Sequence, residues 1–568
     1  MTKLLEKMIE HQIWEQVDDQ QVELSDEQGG FRPHRSRFDL IFLLRCLQEH
    51  HHPRGQSRSS KRHSRPQRLF AAFLDIKKAY DSVPHVKIIE VLRQLGVREE
   101  LVRLVTDLLS NRYTTIYGKK VGVTKGVPQG SPLSPLLFIL SMMQPLSARM
   151  RHHDRGGALL PGGFLFKEGF YADDFVLVAK TADDLQTMLD VCDEWAVELG
   201  LQFNVPKSRV MVLTGARLKT GELPELQLSG QVLEWTEEYK YLGFPVYAYN
   251  NTPQALPVNL SLLNLVLYPL GPTLLPNGIN DFFLSNRVDI LVTMMEGKVL
   301  HNSPMADVCY RDMDKKMNKW LGNIAGLPIN TTSATFLRCE LGVLPSRLVA
   351  ERNALYYLWH LRNETWFKDL LPSLQHLAPL SRLTGLLVDN NITLEEFHQY
   401  RDRNAWHDTV KKAVLERAQS WYDTSAHRER LPNFQFVYRG RQYLREDSLC
   451  ELAPTAIQAR ADRLPGVPNA WEHQQCPFCE NENGMNGAHL LQCGSLPGSL
   501  LIARDQLRSS MSTRAFAMQV IGCKPGDLVV KGLHLAQKVF KAARRSVQGP
   551  ASPPSLSQSD VAGEEFNT

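Results

Sequence analysis

Two short stretches decide the fold: FAAFLDI at residues 70–76 and FYADDFVLVA at residues 170–179. Each contains an apolar run of the length of one buried strand. Asp75 stands near the end of the first stretch, and the pair Asp173–Asp174 interrupts the second. Because Asp favours turns, an acidic pair between two strands often marks a simple hairpin turn. These stretches therefore predict a buried sheet with carboxylates at its edge.

The segments on either side extend this sheet into an α+β fold. The order of elements predicts an antiparallel sheet with helices packed on one face. The helix over 181–200 has the clearest pattern, with Thr181 as N-cap, Gly200 as C-cap and Cys192 on its apolar, core-facing side. Residues 257–460 are predicted to be mostly helical. Further helices are expected at 84–95, 99–110 and 135–149, with two more within 1–48. Strands are expected at 69–76, 201–213 and 239–246, with two more within 162–180.

Composition limits the class of protein. The chain has 568 residues, 43% hydrophobic and 22% charged, with a net charge of +4, which indicates a folded protein of two to four domains. Nine cysteines are too few and odd in number for a disulfide scaffold, so a reducing compartment is expected. The N-terminus lacks a signal-peptide pattern, and prolines interrupt the apolar stretch 260–275. We therefore expect an intracellular, nuclear or cytoplasmic protein that is not secreted and has no membrane segment.

The three carboxylates suggest a metal site. Two carboxylates ~4 Å apart repel by about 4 kcal/mol at an effective dielectric near ~20. Such clusters persist when a proton or a divalent cation neutralises them, and ligands that are all oxygen favour Mg²⁺. If Asp75 and Asp173 lie on neighbouring strands, they can hold two ions at the ~3.5–4 Å spacing of phosphoryl transfer.

Six segments resemble the ordered motifs of reverse transcriptases, in the style of retrotransposons without long terminal repeats. The finger motif just upstream of the first catalytic strand is similar to QGGFRPHRSRFDLI (28–41). The remaining motifs, in family order, are FLDIKKAYDSV (73–83), GVPQGSPLSPLLF (126–138), FYADDFVLVA (170–179), LGLQFNVPKSRVMVL (199–213) and YKYLGFPV (239–246).

The resemblance implies a role for each matched residue. Asp75 and Asp173 would bind two Mg²⁺ ions with the carbonyl of Ile76, and Asp174 would support them or shape the turn. Tyr80 would stack beneath the sugar and exclude a 2′-hydroxyl, although core packing is an alternative that can hold at the same time. Gln129 and Gly130 would approach the template–nucleotide pair, unless this is a plain Pro/Gly loop. Lys207 would protonate the leaving pyrophosphate, and Arg32 would contact nucleotide or template.

The resemblance also implies a right-hand polymerase. Members of this family carry a further basic finger motif upstream, and we expect this chain to be N-terminally truncated before it. The basic segment 50–68 is either a solvated insertion or a partial substitute for those charges. The expected domains are partial fingers (1–68), palm (69–250), helical thumb (251–375), helical connector (376–470), zinc module (471–500), C-terminal helices (501–546) and a disordered tail (547–568).

A second candidate site lies near the C-terminus. Cys476, Cys479, His489 and Cys493 form a C-x2-C-x9-H-x3-C pattern. Three thiolates and one imidazole are the ligands of a closed structural zinc site. His473 nearby is a reminder that Cys and His also occur together by chance. The pattern is similar to a Cys/His motif of the same retrotransposons, which implies contact with template RNA or target DNA.

Together these features predict an RNA-directed DNA polymerase of retrotransposon origin, with an RNA template, a DNA primer or target and deoxynucleotides as partners. Two rivals remain. The chain could be a catalytically silent remnant that binds nucleic acid without turnover, or a maturase-like helper of RNA splicing.

Overall fold

The structure is a computed structural model of the chain. The apolar stretch 260–275, the greater part of the basic segment 50–68 and the tail beyond 548 lie outside the described residues. Among the residues that are described, no helix is both long enough and apolar enough to cross a membrane. The described residues are 2–19, 26–52, 67–110, 112–251, 253, 255–256, 284–308, 310–325, 327, 333–428, 455–457, 475–479, 487–509, 511–513, 516–517, 520 and 527–548.

The elements alternate between helix and strand up to residue 256 and are mainly helical afterwards. The first part contains α1 Thr2–Asp19, α2 Arg37–His51, β1 Leu69–Asp75, α3 Ala79–Ser82, α4 His85–Gln94, α5 Glu99–Ser110, β2 Tyr113–Ile116, β3 Lys119–Gly122, α6 Ser134–Phe138, α7 Gln144–His152, β4 Ala158–Leu159, β5 Leu165–Phe166, β6 Glu168–Tyr171, β7 Asp174–Ala179, α8 Ala182–Leu199, β8 Arg209–Thr214, β9 Gln227–Leu228, β10 Gln231–Val232, β11 Glu234–Trp235, β12 Glu238–Tyr241, β13 Phe244–Tyr247 and β14 Ala255–Leu256. The second contains α9 Leu284–Val299, β15 Asp307–Val308, α10 Tyr310–Ile324, α11 Ala334–Leu341, α12 Ser346–Asn363, α13 Leu371–Leu374, α14 Ala378–Asp389, α15 Leu394–Gln399, α16 Arg403–Arg428, α17 Gly487–Gln492, α18 Gly498–Arg508 and α19 Asp527–Gln548.

The central sheet has five strands in the order β11–β8–β1–β7–β6. Strand β1 occupies the middle and pairs antiparallel with β7 and β8, and only the edge strand β11 pairs in parallel. Six residues of β1 are buried, and Asp75 at its end is half-buried. The predicted α+β architecture with an antiparallel sheet is therefore confirmed in this part of the chain.

Helix α8 begins and ends where its sequence predicts. The Thr181 hydroxyl accepts a hydrogen bond from the Asp184 amide at 3.1 Å, and Gly200 adopts the left-handed backbone at φ 65°. Cys192 and Trp195 are buried against the sheet. The Trp195 indole donates to the Met142 carbonyl at 3.2 Å, which ties α8 to a π-helical turn at Ile139–Met143. The helix predicted at 135–149 is therefore α6, this turn and α7 in succession.

The chain divides into two compact units. One comprises residues 1–256, 302–307 and 353–407, and the other residues 257–301, 308–352 and 408–568. In the second unit, the buried Arg338 guanidinium bonds the Asp314 carboxylate at 2.8 Å, and that carboxylate also accepts from the Ser346 hydroxyl at 2.5 Å. The predicted domain boundaries remain predictions.

In the first unit, the buried Asp39 carboxylate of α2 forms a hydrogen bond with His360. Asp39 is fully buried and caps its own helix together with Ser36. The Tyr357 hydroxyl lies 3.1 Å from Asp39 Oδ1, and His360 Nε2 lies 3.0 Å from the same oxygen. His360 Nδ1 lies 2.6 Å from the Glu364 carboxylate. Burial opposes protonation of His360, but the two carboxylates outweigh it and raise its pKa.

This arrangement should make stability depend on pH. Because the pKa of His360 is raised in the folded state, its stabilisation is complete below about pH 6.5 and is lost as pH rises through the folded value. We therefore expect the urea midpoint of the protein to fall between about pH 6 and 9, and His360→Gln to remove this part of the dependence. His152→Gln, at an exposed position, is the control. Equal pH dependence in His360→Gln and the unsubstituted chain would refute the prediction.

Candidate active site

The acidic hairpin is formed by β6 and β7. Its two-residue turn is Ala172–Asp173, and Ala172 adopts a left-handed backbone at φ 60°. Asp174 begins β7 directly opposite Asp75 at the end of β1. Directly opposite residues of an antiparallel pair project from the same face of the sheet. The register of the sheet therefore brings the acids of the two predicted strands to one edge.

A cavity of about 710 Å³ opens at this edge. Asp75 and Asp173 both line it, so the structure brings together two acids that are distant in the chain. Four other predicted residues also line it: Ile76, Tyr80, Gln129 and Lys207. Among the described residues, Asp174, Gly130 and Arg32 are not part of this lining. The lining also includes residues that were not predicted, namely Lys77, Lys78, Lys125, Gln202 and Asn204.

The carboxylates perturb one another. The pKa of Asp174 is raised to about 6, first by burial and then by repulsion from Asp173 and Asp75. Burial also raises the pKa of Asp173, and Asp75 adds to the increase. Burial and neighbouring carboxylates therefore both disfavour the ionised forms of Asp173 and Asp174, and a bound cation would offset this cost. The oxygen donors of these side chains are suited to Mg²⁺.

Asp75 is held by a turn far along the chain. The Asn204 side-chain amide donates to Asp75 Oδ2 at 2.8 Å, and the Asn204 backbone amide donates to the Asp75 carbonyl at 2.7 Å. The Asp75 amide donates to the Ser208 hydroxyl at 3.2 Å. The segment after α8 therefore fixes both the backbone and the carboxylate of Asp75. The Asn-Val-Pro turn was visible in the sequence, but its contact with Asp75 was not.

Tyr80 packs against the core and also lines the cavity, and its contact with a sugar stays a prediction. Its ring stacks on Phe138 at 5.1 Å and is half-buried against the core, and it also lines the cavity. Burial raises the pKa of Tyr80 to about 12, with a further contribution from Asp173. The ring is therefore packed against the core on one side and borders the cavity.

The finger segment QGGF packs directly on the acidic turn. Gln28 forms a parallel bridge with Phe170, and the Gly29 amide donates to the Phe170 carbonyl at 2.7 Å. A Cβ atom on Gly30 would lie only 2.5 Å from the backbone nitrogen of Ala172. Gly30 therefore allows the QGGF segment to approach the turn that carries Asp173.

Arg32 lies in the same finger segment but outside the cavity lining. Burial lowers the pKa of Arg32 to about 10, repulsion from Arg35 adds to this, and Asp26 and Glu27 oppose it. Arg35 itself bonds the Asp26 carboxylate at 2.7 Å. The structure thus places Arg32 in a local charge cluster with Arg35, Asp26 and Glu27, outside the lining of the cavity that contains Asp75 and Asp173.

The second cluster is compact. The ligand atoms of Cys476, Cys479, His489 and Cys493 all lie within 4.8 Å of one another. The sulfurs of Cys476 and Cys493 are 3.7 Å apart, and Cys479 Sγ is 3.2 Å from His489 Nε2. Two thiolates bound ~2.3 Å from a tetrahedral zinc ion stand about 3.8 Å apart. The four predicted residues therefore meet in a geometry that fits zinc.

The family model for reverse transcriptase (RNA-dependent DNA polymerase) matches residues 1–246. Over these residues the chain is similar to the reverse transcriptase family. The match covers α1 to β13, including the acidic hairpin and the cavity. The recognition of the family from its ordered motifs is confirmed, and with it the polymerase fold of the reverse transcriptase domain.

Curated relatives are polymerases of mobile elements. The chain is 28% identical over 366 residues to a retrovirus-related Pol polyprotein from the type-2 retrotransposable element R2DM of Drosophila melanogaster, which covers 60% of this chain and 31% of the relative. It is 31% identical over 184 residues to the RNA-directed DNA polymerase from mobile element jockey of Drosophila funebris. This alignment covers 30% of this chain and 19% of the relative. The chain therefore spans less than a third of either relative.

Among solved structures, the telomerase from Candida albicans in complex with a fragment of telomeric RNA aligns with 71% of this chain and 57% of its own. The identity is 10% and the TM-score is 0.34.

Proposed function

We propose that this chain is an RNA-directed DNA polymerase of retrotransposon origin. The observation that carries the proposal is the meeting of Asp75 and Asp173 in one cavity at the end of the central sheet. In the reaction, a primer 3′-hydroxyl attacks the α-phosphate of a deoxynucleotide and pyrophosphate leaves. The RNA template, the DNA primer and the deoxynucleotide are the proposed partners.

The residues present suit two Mg²⁺ ions. Asp75, Asp173, Asp174 and the carbonyl of Ile76 offer only oxygen ligands, which suit Mg²⁺. The pKa values of Asp173 and Asp174 are raised by burial and by neighbouring carboxylates, and a bound cation would offset both effects. When bound, Mg²⁺ would activate the attacking hydroxyl and stabilise the charge that develops on the phosphate. Asn204 keeps the Asp75 carboxylate oriented for this task.

The other cavity residues supply positioning and a proton. We assign Tyr80 to the face of the incoming sugar and Gln129 to the edge of the template–nucleotide pair. Gly130 adopts φ 83°, and a Cβ atom added to it would have nothing within 4 Å, so it leaves room for a nucleotide beside Gln129. Lys207 Nζ would donate its proton to the leaving pyrophosphate.

Primer extension by the purified full chain tests this proposal against a silent remnant. We expect deoxynucleotide addition on an RNA template that depends on Mg²⁺. Binding of the primer–template without any extension would favour the remnant. Template-specific binding to one structured RNA, again without extension, would favour the splicing helper.

Asn204 provides a test of metal positioning that does not remove a proposed ligand. Asn204→Ala should raise the Mg²⁺ concentration at half-maximal extension by about 10- to 100-fold, because the Asp75 carboxylate loses its hydrogen-bond donor. Gln202 lines the same cavity, so Gln202→Ala is the matched control. Equal shifts in the two variants would show that Asn204 has no special role.

We also propose that Cys476, Cys479, His489 and Cys493 bind one structural zinc ion. The donor set and the sulfur spacing support this assignment. The buried Arg504 of α18 donates to the Cys493 carbonyl at 2.6 Å, so the cluster is braced by the helix that follows it. The ion would join the short segment 476–479 to α17 and to Cys493, the residue that follows it.

Cys476→Ser should abolish zinc binding. We expect about one equivalent of zinc per purified full chain, and less than about a tenth of that in the variant, because a closed site needs all four ligands. Limited proteolysis should then cut faster within residues 475–509. His473→Asn, which changes a neighbouring residue outside the motif, should retain zinc. A full equivalent of zinc in Cys476→Ser would overturn the assignment.

A further inference from the structure

The β2–β3 hairpin has several side chains that are exposed to solvent and do not pack in the core. Its turn, Tyr117–Gly118, has left-handed backbone at both residues, with φ 48° and 78°. Tyr117 is fully exposed, Tyr113 is 58% exposed and all four residues of β3 are exposed. A two-stranded hairpin gains little stability by itself in water. An aromatic ring at such a tip therefore contributes little to folding and is available to a ligand.

The same hairpin carries a single sign of charge. The segment 112–125, RYTTIYGKKVGVTK, contains Arg112, Lys119, Lys120 and Lys125 and no acidic residue. Lys120 Nζ lies 4.3 Å from the centre of the Tyr113 ring. Neighbouring residues of a strand project to opposite faces, so Lys119 and Lys120 place charge on both sides of the hairpin. Cations interleaved with exposed tyrosines are suited to a polyanion that also carries stacking rings.

The base of the hairpin is part of the rim of the catalytic cavity. Arg112 donates from its guanidinium to the Gly126 carbonyl at 2.8 Å, and Lys125 bridges to Pro84. Lys125 also lines the cavity together with Asp75 and Asp173. A nucleic-acid strand held at the acids therefore passes close to the base of this hairpin.

We propose that the β2–β3 hairpin binds the unpaired RNA template strand beside the cavity. Lys119 and Lys120 contact its phosphates, and Tyr117 stacks on an unpaired base. Duplex phosphates could attract the lysines equally, but paired bases are already stacked and offer no face to Tyr117. The exposed ring therefore favours a single strand over a duplex. This inference rests on the proposed polymerase function, because it assumes that a template enters the cavity.

The test compares two substrates on the full chain by fluorescence anisotropy at several salt concentrations. Both have the same RNA–DNA duplex, and one adds a template overhang of about twelve nucleotides, within the ~4–16 that such single-strand sites cover. With the overhang, Lys119→Gln/Lys120→Gln should reduce the slope of log affinity against log salt by about 1.4. Tyr117→Ala should weaken binding about fivefold or more. Neither should change binding of the blunt duplex.

Lys3→Gln/Lys7→Gln removes the same charge from α1 and is the control, expected to leave the overhang effect intact. If the Lys119/Lys120 and Tyr117 variants lose as much affinity for the blunt duplex, the hairpin binds duplex. If they lose no affinity for either substrate, the side chains of the hairpin are only solvated. Either result overturns the inference. Extension by the unsubstituted chain is measured in parallel. If the chain does not extend primers but the variants still weaken binding of the overhang, the proposed polymerase function is wrong and the proposed role of the hairpin is not.

Discussion

Asp173→Asn is expected to slow single-nucleotide addition on an RNA template by about a thousandfold, since the metal contribution to such a barrier is several kcal/mol. The variant keeps the shape of the side chain but removes its charge from the cavity that Asp75 also lines. Affinity for the primer–template should change little, because most binding energy comes from backbone phosphates elsewhere. Single-turnover extension and anisotropy binding, measured on the same preparation, separate the two effects.

Asp183→Asn is the matched control for this experiment. Asp183 is an exposed acid in the first turn of α8, outside the cavity lining. Its replacement removes the same charge and should leave the rate within about twofold, since surface substitutions away from special features are nearly neutral. An Asp173→Asn chain that extends primers as fast as this control would show that Asp173 is not a metal ligand.

The second large effect is expected at Gly30. In Gly30→Ala, the new methyl group would stand 2.5 Å from Ala172 N and 3.0 Å from the Tyr171 carbonyl carbon, both of them backbone atoms. Either the finger segment or the acidic turn must move, at a cost of about 1–3 kcal/mol in stability. A displacement of about 1 Å at Asp173 is enough to slow extension about 100-fold. Thermal unfolding and extension rate measure the two consequences.

Gly29 offers a control one residue away. A Cβ there would lie 3.4 Å from the Leu40 side chain, which is at the edge of ordinary contact. Gly29→Ala should therefore retain extension within a few-fold, while Gly30→Ala does not. If the two variants behave alike, close approach of the QGGF segment to the acidic turn is not what the site requires.

The local parts of the fold could be predicted from the sequence. Strand β1 and the two strands of the acidic hairpin follow from apolar runs with polar ends, and α8 follows from Thr181, Gly200 and a one-sided apolar pattern. These signals lie within one element, so a short window contains them. Helix 135–149 was also predicted, but not its π-helical turn. Pro145 lacks the amide that would bond the Ser141 carbonyl in a regular helix, which is a physical reason for that turn.

The contacts that sequence reasoning missed, both in the site and elsewhere in the fold, join distant segments of the chain. Asn204 reaches Asp75 across 129 positions, and His360 reaches Asp39 across 321. Neither pair has a local signature. Lys125 was also missed, although it directly precedes the predicted loop at Gly126. Arg32 was expected near the nucleotide by resemblance, and its role there remains a prediction because the structure places it outside the cavity lining.

Iron-directed cleavage tests most directly whether Asp75 and Asp173 share a metal. Fe²⁺ replaces Mg²⁺ in the full chain, with the Cys/His cluster first saturated with zinc, and peroxide then cuts the backbone next to the bound iron. Mass spectrometry should find cuts beside both residue 75 and residue 173, and Asp173→Asn should lose both sets together. Cuts beside one acid alone, or cuts unchanged in Asp173→Asn, would contradict a shared site.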